Sequence, residues 1–409
     1  MRIAFVSHEF VATPGGGGIG TYLRQVTSAL AADGHEVHVF CGTDGSGGPH
    51  REAAGVTVHR VTASPGEPFR HAVVSPFRAL HEGTPFDVIE GTDFDAPANA
   101  IKRLYPDLPY VVKLHTPRFV IDELHSRPLG WPGRLRMRLG AWRRAQPYSP
   151  PVRPSARVTA AEEKNALLLA DEIVAPSQFV ATAAQRWVTF DTKKLSVLPY
   201  PYTPPSSLLE IPDTSDTSTV LFLGRLEVRK GVLDLARAAQ AVHARQPGMR
   251  FVFAGRVTGT NGNGDSLVSV MKDLAGPAAS TLTFVGPVEP ERIAELLAQC
   301  AVLVLPSHWE SYGLVCCEAM AAARPVVAST SGGMREILDE TRCGRLVPPR
   351  QPRALAGTLN TLLNDPELRR QLGRAGRERI QKAFTPAAVL PRQVESYDRA
   401  RARCRATVR

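Results

Sequence analysis

Val220-Leu-Phe-Leu-Gly-Arg-Leu-Glu-Val-Arg-Lys-Gly-Val-Leu-Asp-Leu-Ala-Arg-Ala-Ala-Gln-Ala-Val-His-Ala244 decides the fold. Val220–Gly224 is a short apolar run closed by glycine, as in a buried strand. Val232–Ala244 carries apolar residues at helical spacing. A loop bearing Arg225 and Lys230 joins the two. The same unit recurs on both sides. Upstream, strands are expected at Ile3–Val6, Glu36–Phe40, Val56–Arg60, Val88–Ile89, Tyr110–Leu114 and Ile173–Ala175, with helices at Thr21–Ala32 and Ala161–Ala170. Downstream, strands are expected at Phe251–Ala254, Thr283–Val285, Val302–Leu305 and Val326–Ala328, with helices at Arg292–Ala298 and from Leu314. This alternation makes a parallel sheet covered on both faces. It breaks at Tyr200–Ser218, a linker rich in Pro, Ser, Thr and Asp. The expected organisation is therefore α/β throughout, with two doubly wound domains. The first spans 1–200, a linker 201–218, the second 219–385, and a terminal helix with a basic tail 386–409. Ligands in such sheets sit beyond the carboxyl ends of the strands, so the cleft between the domains is the expected site.

The chain has 409 residues, 43% apolar and 22% charged, which excludes a mostly disordered protein. Its formal net charge of +10 favours anionic partners. Nucleic acid is not expected among them. The basic tail (Arg399, Arg401, Arg403, Arg405, Arg409) has too few aromatics to stack bases. Cys41, Cys300, Cys316, Cys317, Cys343 and Cys404 form no C-x-x-C pair and read as reduced thiols. The start of the chain does not read as a signal peptide, and no window of about 18 uninterrupted apolar residues occurs. A cytoplasmic protein is expected. The Arg-, Ala- and Pro-rich composition points to a GC-rich bacterial genome.

The residues suited to chemistry cluster after strands. Glu310 follows the strand Val302–Leu305, and Glu318 lies in the next helix. Were that whole span helical, the two would lie ~12 Å apart along the axis and ~80° around it, which suits two parts of one elongated ligand. Arg225 and Lys230 precede a helix, where free N–H groups also gather, and together they suit a diphosphate. The run Gly15-Gly-Gly-Gly-Ile-Gly20 lets backbone approach a ligand, but it is neither the spaced dinucleotide fingerprint nor a P-loop. His115 ends a strand and so faces the cleft side. Arg127, Arg134, Arg136, Arg138, Arg143, Arg144, Arg153 and Arg157 fall in a stretch without acids, interleaved with Trp131, Leu135, Leu139 and Trp142. That segment, 127–157, reads either as a solvated helix or as a basic face for anionic lipid or an anionic acceptor.

Taken in order, these motifs resemble the retaining glycosyltransferases of family 4, which have the GT-B fold of two Rossmann-like domains. The likeness runs through Pro14, Gly17-Gly-Ile-Gly-Thr-Tyr22, Gly34-His-Glu-Val37, Val174-Ala-Pro-Ser177 and Phe222-Leu-Gly-Arg225 with Lys230-Gly231. It continues through Phe253-Ala-Gly255, Phe284-Val-Gly286, Leu305-Pro-Ser307, Glu310 to Glu318, Val326-Val-Ala-Ser329, Gly332-Gly333 and Gly344-Arg-Leu-Val-Pro348. The resemblance implies that Arg225 and Lys230, in the loop after Gly224, hold the nucleotide diphosphate. It implies Glu310 on donor-sugar hydroxyls and Glu318 on the ribose. Backbone N–H groups around Tyr312, Gly313, Leu314 and Val315 would contact sugar and phosphate. Gly17 and Gly18 would close on the phosphate, His115 would contact the donor sugar, and Gly286 and Val288 would lie near the base.

The activity so implied is transfer of a hexosyl group, with retention, from a nucleotide-diphosphate sugar to a glycan, lipid-linked or small-molecule acceptor. UDP is the preferred nucleotide and GDP also fits. No cofactor is expected: two fixed cations and a helix terminus can stabilise the leaving group without a metal, and no D-x-D pattern is placed for an ion at the cleft. Three departures concern the periphery. Arg256 follows Ala254-Gly255, Pro391 interrupts the last helix, and Val88-Ile-Glu-Gly-Thr-Asp-Phe-Asp95 differs from the family's commoner pattern. Glu90, Asp93 and Asp95 are therefore acceptor-side candidates. The alternatives are a sugar-nucleotide epimerase on the same fold and a non-catalytic scaffold. A peripheral position at the inner face of the cell membrane, through segment 127–157, is a further expectation.

Overall fold

The computed structural model describes residues 1–10, 17–43, 48–51, 55–64, 66–125, 154–213, 217–258 and 266–408. Two sheets organise them. The first contains β1 (Arg2–Ser7), β2 (Glu36–Gly42), β3 (Gly48–Arg51), β4 (Thr57–Val61), β5 (Val88–Thr92), β6 (Tyr110–Lys113), β7 (Glu172–Ala175) and β8 (Leu195–Val197). Their order is β3-β4-β2-β1-β5-β6-β7-β8, and only β3 runs antiparallel to its neighbour. The second contains β9 (Thr219–Leu223), β10 (Arg250–Ala254), β11 (Leu282–Gly286), β12 (Val302–Leu305), β13 (Val326–Ser329) and β14 (Gly344–Val347), in the order β11-β10-β9-β12-β13-β14. All its pairings are parallel.

Both orders reverse direction once, between β1 and β5 and between β9 and β12. Chain connections leave such a switch point on opposite faces and open a crevice there. β5, β7, β9 and β12 are buried along their whole lengths, the mark of parallel strands covered on both sides. The expected strands all occur: most are extended by one to three residues, those at Val56–Arg60 and Val220–Gly224 are shifted by one, that at Tyr110–Leu114 ends one residue sooner, and Val302–Leu305 is unchanged. Strands β3, β8 and β14 were not expected; each is short and lacks the apolar run that marks the others.

One apolar cluster runs through both domains. It joins Tyr22, Leu23 and Val26 of the helix Gly18–Ala32 to Leu198, Tyr200 and Tyr202 after β8, and these to Tyr312, Leu314 and Cys316. The segment after β8 is thus a packed element as well as a connector. The last helix, Pro386–Val408, passes through Pro391 without a break and lies against β5, β6 and β7. Tyr397 and Gln393 donate from it to Glu90 in β5 at 2.8 and 3.0 Å, so the chain returns to the first domain. All six cysteines are buried thiols. No helix among the described residues is long and apolar enough to cross a membrane. Pro14, Gly15, Gly16 and residues 126–153, most of the Arg-rich segment, lie outside the described residues.

Candidate active site

β9 and β12 are neighbours, and the loops that leave their carboxyl ends meet. The first carries Arg225 to Lys230 and the second carries His308 to Gly313. Gly231, at φ 73°, ends the first loop and caps the helix Val232–His243. A Cβ there would stand 2.0 Å from the carbonyl oxygen of Pro306, so only glycine lets the two loops approach this closely. The contact continues as a backbone bond from His308 N–H to Arg229 O at 2.7 Å. Arg229 is buried; it donates to the Trp309 carbonyl at 3.1 Å and to Glu227. His308 Nε2 lies 2.6 Å from Asp234 Oδ2 in the helix that follows.

This framework sets Lys230 Nζ directly on Glu310 Oε2. Burial alone would raise the Glu310 carboxyl, but the charges of Lys230, Arg229 and Arg225 overcome it and hold the group below its ordinary range. Burial lowers Lys230, and the Glu310 charge opposes that. Arg225 is different: its side chain is 52% exposed and 3.8 Å from Glu227, so its guanidinium remains open to a ligand. Glu310 is also pinned through its backbone, which forms a bridge with Gly332 (φ 156°).

Gly313, at φ 98°, caps the helix Leu314–Ala321. The first N–H groups of that helix, at Leu314 and Val315, have no carbonyl ahead of them within the helix and aim past its N-terminus. Tyr312 is buried, and its hydroxyl donates to the Tyr200 carbonyl at 3.4 Å. Six residues on, Glu318 has a buried Oε2 with no hydrogen-bond partner among the described residues. Burial pushes this carboxyl up to about 7. Gly224 (φ 145°) closes β9, and Gly255 packs against its carbonyl so tightly that a Cβ would come within 2.0 Å. Gly286 (φ 72°) ends β11 facing open space, and Val288 is partly buried beyond it. Arg225, Lys230, Glu310 and the 313–315 backbone thus converge beside the second sheet's switch point, with Gly224 and Gly286 along the same strand ends.

In the first domain Gly17 caps the helix after β1, where a Cβ would press on Glu9 at 2.8 Å, and Gly18 has free space around it. His115 follows β6. Its backbone N–H donates to Asp93 at 2.9 Å, its Nδ1 lies 2.6 Å from the Tyr200 hydroxyl, and its Nε2 is buried without a partner among the described residues. Burial, with the nearby Lys113 charge, lowers the imidazole to about 3, so it is neutral.

The acceptor-side candidates divide. Glu90 is enclosed and accepts from Tyr22, Gln393 and Tyr397, which uses both its oxygens. Asp93 is enclosed beneath His115. Both are buried within the first domain, and Asp93 keeps its Oδ2 without a hydrogen-bond partner among the described residues. Their strand and loop face the domain interior, where burial raises both carboxyls. Asp95 alone is partly exposed; it pairs with Arg118 at 2.8 Å, and Glu163 holds its N–H at 2.9 Å.

Two residues at the site were not among those expected from the sequence. Arg229 sits between two cations already singled out. Lys113 is a fully buried lysine in Val-Val-Lys-Leu-His, where a charge inside an apolar strand was the available clue. The two domains also touch beside Glu310. Ser177 Oγ donates to the Ser311 carbonyl at 3.2 Å, and the N–H groups of Gln178 and Phe179 donate to Glu336 at 2.8 and 3.0 Å.

Comparison with known proteins agrees with this architecture. Residues 17–201 match the glycosyl transferase 4-like domain, and residues 210–379 match the glycosyl transferases group 1 model. The D-inositol 3-phosphate glycosyltransferase of Frankia alni is 31% identical, over 88% of this chain and 90% of its own. The glycogen synthase of Mycobacterium tuberculosis is 29% identical over 97% of this chain and 94% of its own. Among solved structures, a sucrose-phosphate synthase from Thermosynechococcus elongatus superposes with a TM-score of 0.74 at 24% identity, over 98% of this chain and 99% of that one. Anabaena Alr3699/HepE in complex with UDP-glucose superposes with a TM-score of 0.69 at 17% identity, over 97% and 99%. Two facing parallel-sheet domains, full-length relatives and both domain models lead to one conclusion: the chain belongs to the group 1 glycosyltransferases and is a transferase with the two-domain GT-B fold.

Proposed function

We propose that this enzyme moves a hexosyl group from a UDP-sugar, with retention of configuration and without a divalent metal, to a hydroxyl of a glycan, lipid-linked or small-molecule acceptor. The observation that carries the reading is the contact of Lys230 with Glu310, with Arg225 open beside them. A cation and a carboxylate side by side fit the junction where a sugar meets its diphosphate. Glu310, held ionised, accepts hydrogen bonds from sugar hydroxyls. Lys230 and Arg225 take the phosphate oxygens, and Arg can do so in a fork.

The chemistry follows from where charge develops. As the glycosidic bond breaks, its electron pair moves to the diphosphate. Fixed cations and helix N–H groups lower the energy of that state more than that of the bound donor, which is what accelerates a reaction. Glu318 would hold the ribose through its unpartnered oxygen. Gly17 and Gly18 would approach the phosphate from the other domain, Gly286 and Val288 would adjoin the base, and neutral His115 would contact the sugar. Retention is carried over from the family, in which the acceptor hydroxyl attacks the face the diphosphate leaves. The UDP preference is supported by the UDP-glucose complex of a protein with the same fold. The relatives act on different acceptors, and an anionic or membrane-held acceptor suits the Arg-rich segment 127–157.

The test is turnover of UDP-sugars by Glu310→Gln, Arg225→Ala and Lys230→Ala, each checked for folding. All three are expected to lose at least about 100-fold in kcat/KM, the size of a lost charge-stabilising donor. Full turnover in all three would remove the site. Chelators are expected to leave the rate unchanged, and abolition would require a metal. An epimerase would turn over the donor with no second substrate. Neutralising Arg134, Arg136 and Arg138 together is expected to weaken sedimentation with anionic liposomes, and unchanged sedimentation would remove the membrane assignment.

A further inference from the structure

Tyr200 is buried after β8, in the segment that connects the domains, and touches both sides of the cleft. Its ring lies between Tyr22 and Tyr312, 4.4 Å from each. Its carbonyl accepts from the Tyr312 hydroxyl at 3.4 Å, one residue before Gly313. Its own hydroxyl donates to the Leu114 carbonyl at 3.1 Å and lies 2.6 Å from His115 Nδ1. The groups facing this pair are Lys113, whose Nζ sits 5.1 and 5.3 Å from the Tyr22 and Tyr200 ring centres, and Asp93, bonded to the His115 backbone.

A phenol has one proton. Without it between them, the Tyr200 and Leu114 oxygens at 3.1 Å would repel each other, so the proton lies there. The Tyr200 oxygen is then an acceptor toward the ring, and Nδ1 must carry the hydrogen. That leaves Nε2 bare: a buried lone pair with no partner among the described residues. A neutral imidazole in this tautomer can accept a hydrogen bond but cannot donate one from Nε2.

We infer that Tyr200 is a positioning residue for transfer: it fixes His115 as the Nδ1–H tautomer and presents Nε2 as a hydrogen-bond acceptor for a hydroxyl of the transferred sugar. Because Tyr200 also packs against Tyr312, this acceptor is held in register with the second domain's donor loop. The inference deepens the proposed donor site and rests on His115 contacting the donor sugar.

The direct test is a long-range proton–nitrogen correlation spectrum of histidine-labelled protein, with His115 assigned by its absence in His115→Ala. The expected spectrum shows Nδ1 protonated and Nε2 bare, and Tyr200→Phe moves it toward the Nε2–H form. An Nε2–H tautomer in the unmodified protein overturns the inference. Tyr200→Phe keeps the packed ring, so the second arm is kinetic, with UDP-glucose as donor probe. It is expected to lower kcat roughly 10-fold with KM nearly constant, the size of effect seen when the partner that orients a working histidine is lost. In a His115→Ala background that loss should vanish. An equal loss in both backgrounds overturns the inference and leaves the site standing. Full turnover by His115→Ala instead overturns the role of His115 at the site itself.

Discussion

Two glutamates eight positions apart are held in opposite electrostatic conditions. Glu310 faces three cations and stays ionised, whereas Glu318 has none beside it and burial raises it to about 7. The sign of the consequence is fixed. A carboxyl raised in the folded state contributes stability below its unfolded value of about 4.3, and that contribution is lost as pH climbs through about 7. Glu318→Gln removes the charge and keeps the shape. Its melting temperature, relative to the parent, should therefore be higher at pH 8 than at pH 5. The same variant should bind nucleotide about tenfold more weakly, one lost charge-assisted bond. Paired thermal scans at the two pH values, with calorimetry at pH 8, check both. An equal offset at both pH values would mean that Glu318 is not raised. The spacing of the two carboxylates was legible in sequence, but their contrast was not. It depends on Lys230, Arg229 and Arg225 lying around one, while burial alone acts on the other.

At the scale of elements, the strand–loop–helix units at Val220–Ala244 and Val302–Ala321 were legible because apolar periodicity marks buried strands and half-buried helices alike. The short strands were not. β3 pairs only along one edge and β14 begins with Gly344-Arg345, so neither shows an apolar run. Pro391 was expected as an interruption and lies within a continuous helix. Proline lacks an N–H and crowds the carbonyl four residues earlier, which sits near the unpaired start of this helix. Two elements give predictions. Gly231→Ala would put a methyl group into the Pro306 carbonyl in a left-handed conformation. It should destabilise the protein by several kcal/mol or force the two loops apart, read as a lower denaturation midpoint together with lost donor binding. Glu336 joins the domains by accepting the first N–H groups of the helix Gln178–Trp187. Glu336→Ala should cost about 1 kcal/mol, the usual worth of such a cap, and increase hydrogen exchange at Gln178 and Phe179. Unchanged exchange there would show that the carboxylate does not hold the helix.

Over the whole molecule, features that join the two domains include the aromatic column Tyr22–Tyr200–Tyr312, the Glu336 cap, and the last helix anchored on Glu90. The twofold organisation could be read from the break at Tyr200–Ser218. The anchoring could not, because Glu90 draws its partners from Tyr22, Gln393 and Tyr397, positions that no local pattern connects. Glu90 was expected on the acceptor side because its segment departs from the family's commoner pattern, which carries no information on burial; the fold encloses it. Tyr397→Phe should cost about 1 kcal/mol. Glu90→Ala should cost about 3–5 kcal/mol, since it leaves the buried Lys113 without a compensating charge. Denaturant titrations of the two variants check the order, and equal effects would contradict it. The central claim concerns the cationic loop, and calorimetric titration of UDP and UDP-glucose into metal-free protein tests it most directly. The account predicts binding by the parent and a loss of at least about tenfold in affinity for Lys230→Ala, the cost of one charge-assisted contact. Binding that is equal in both proteins would contradict it, as would no binding by a folded parent.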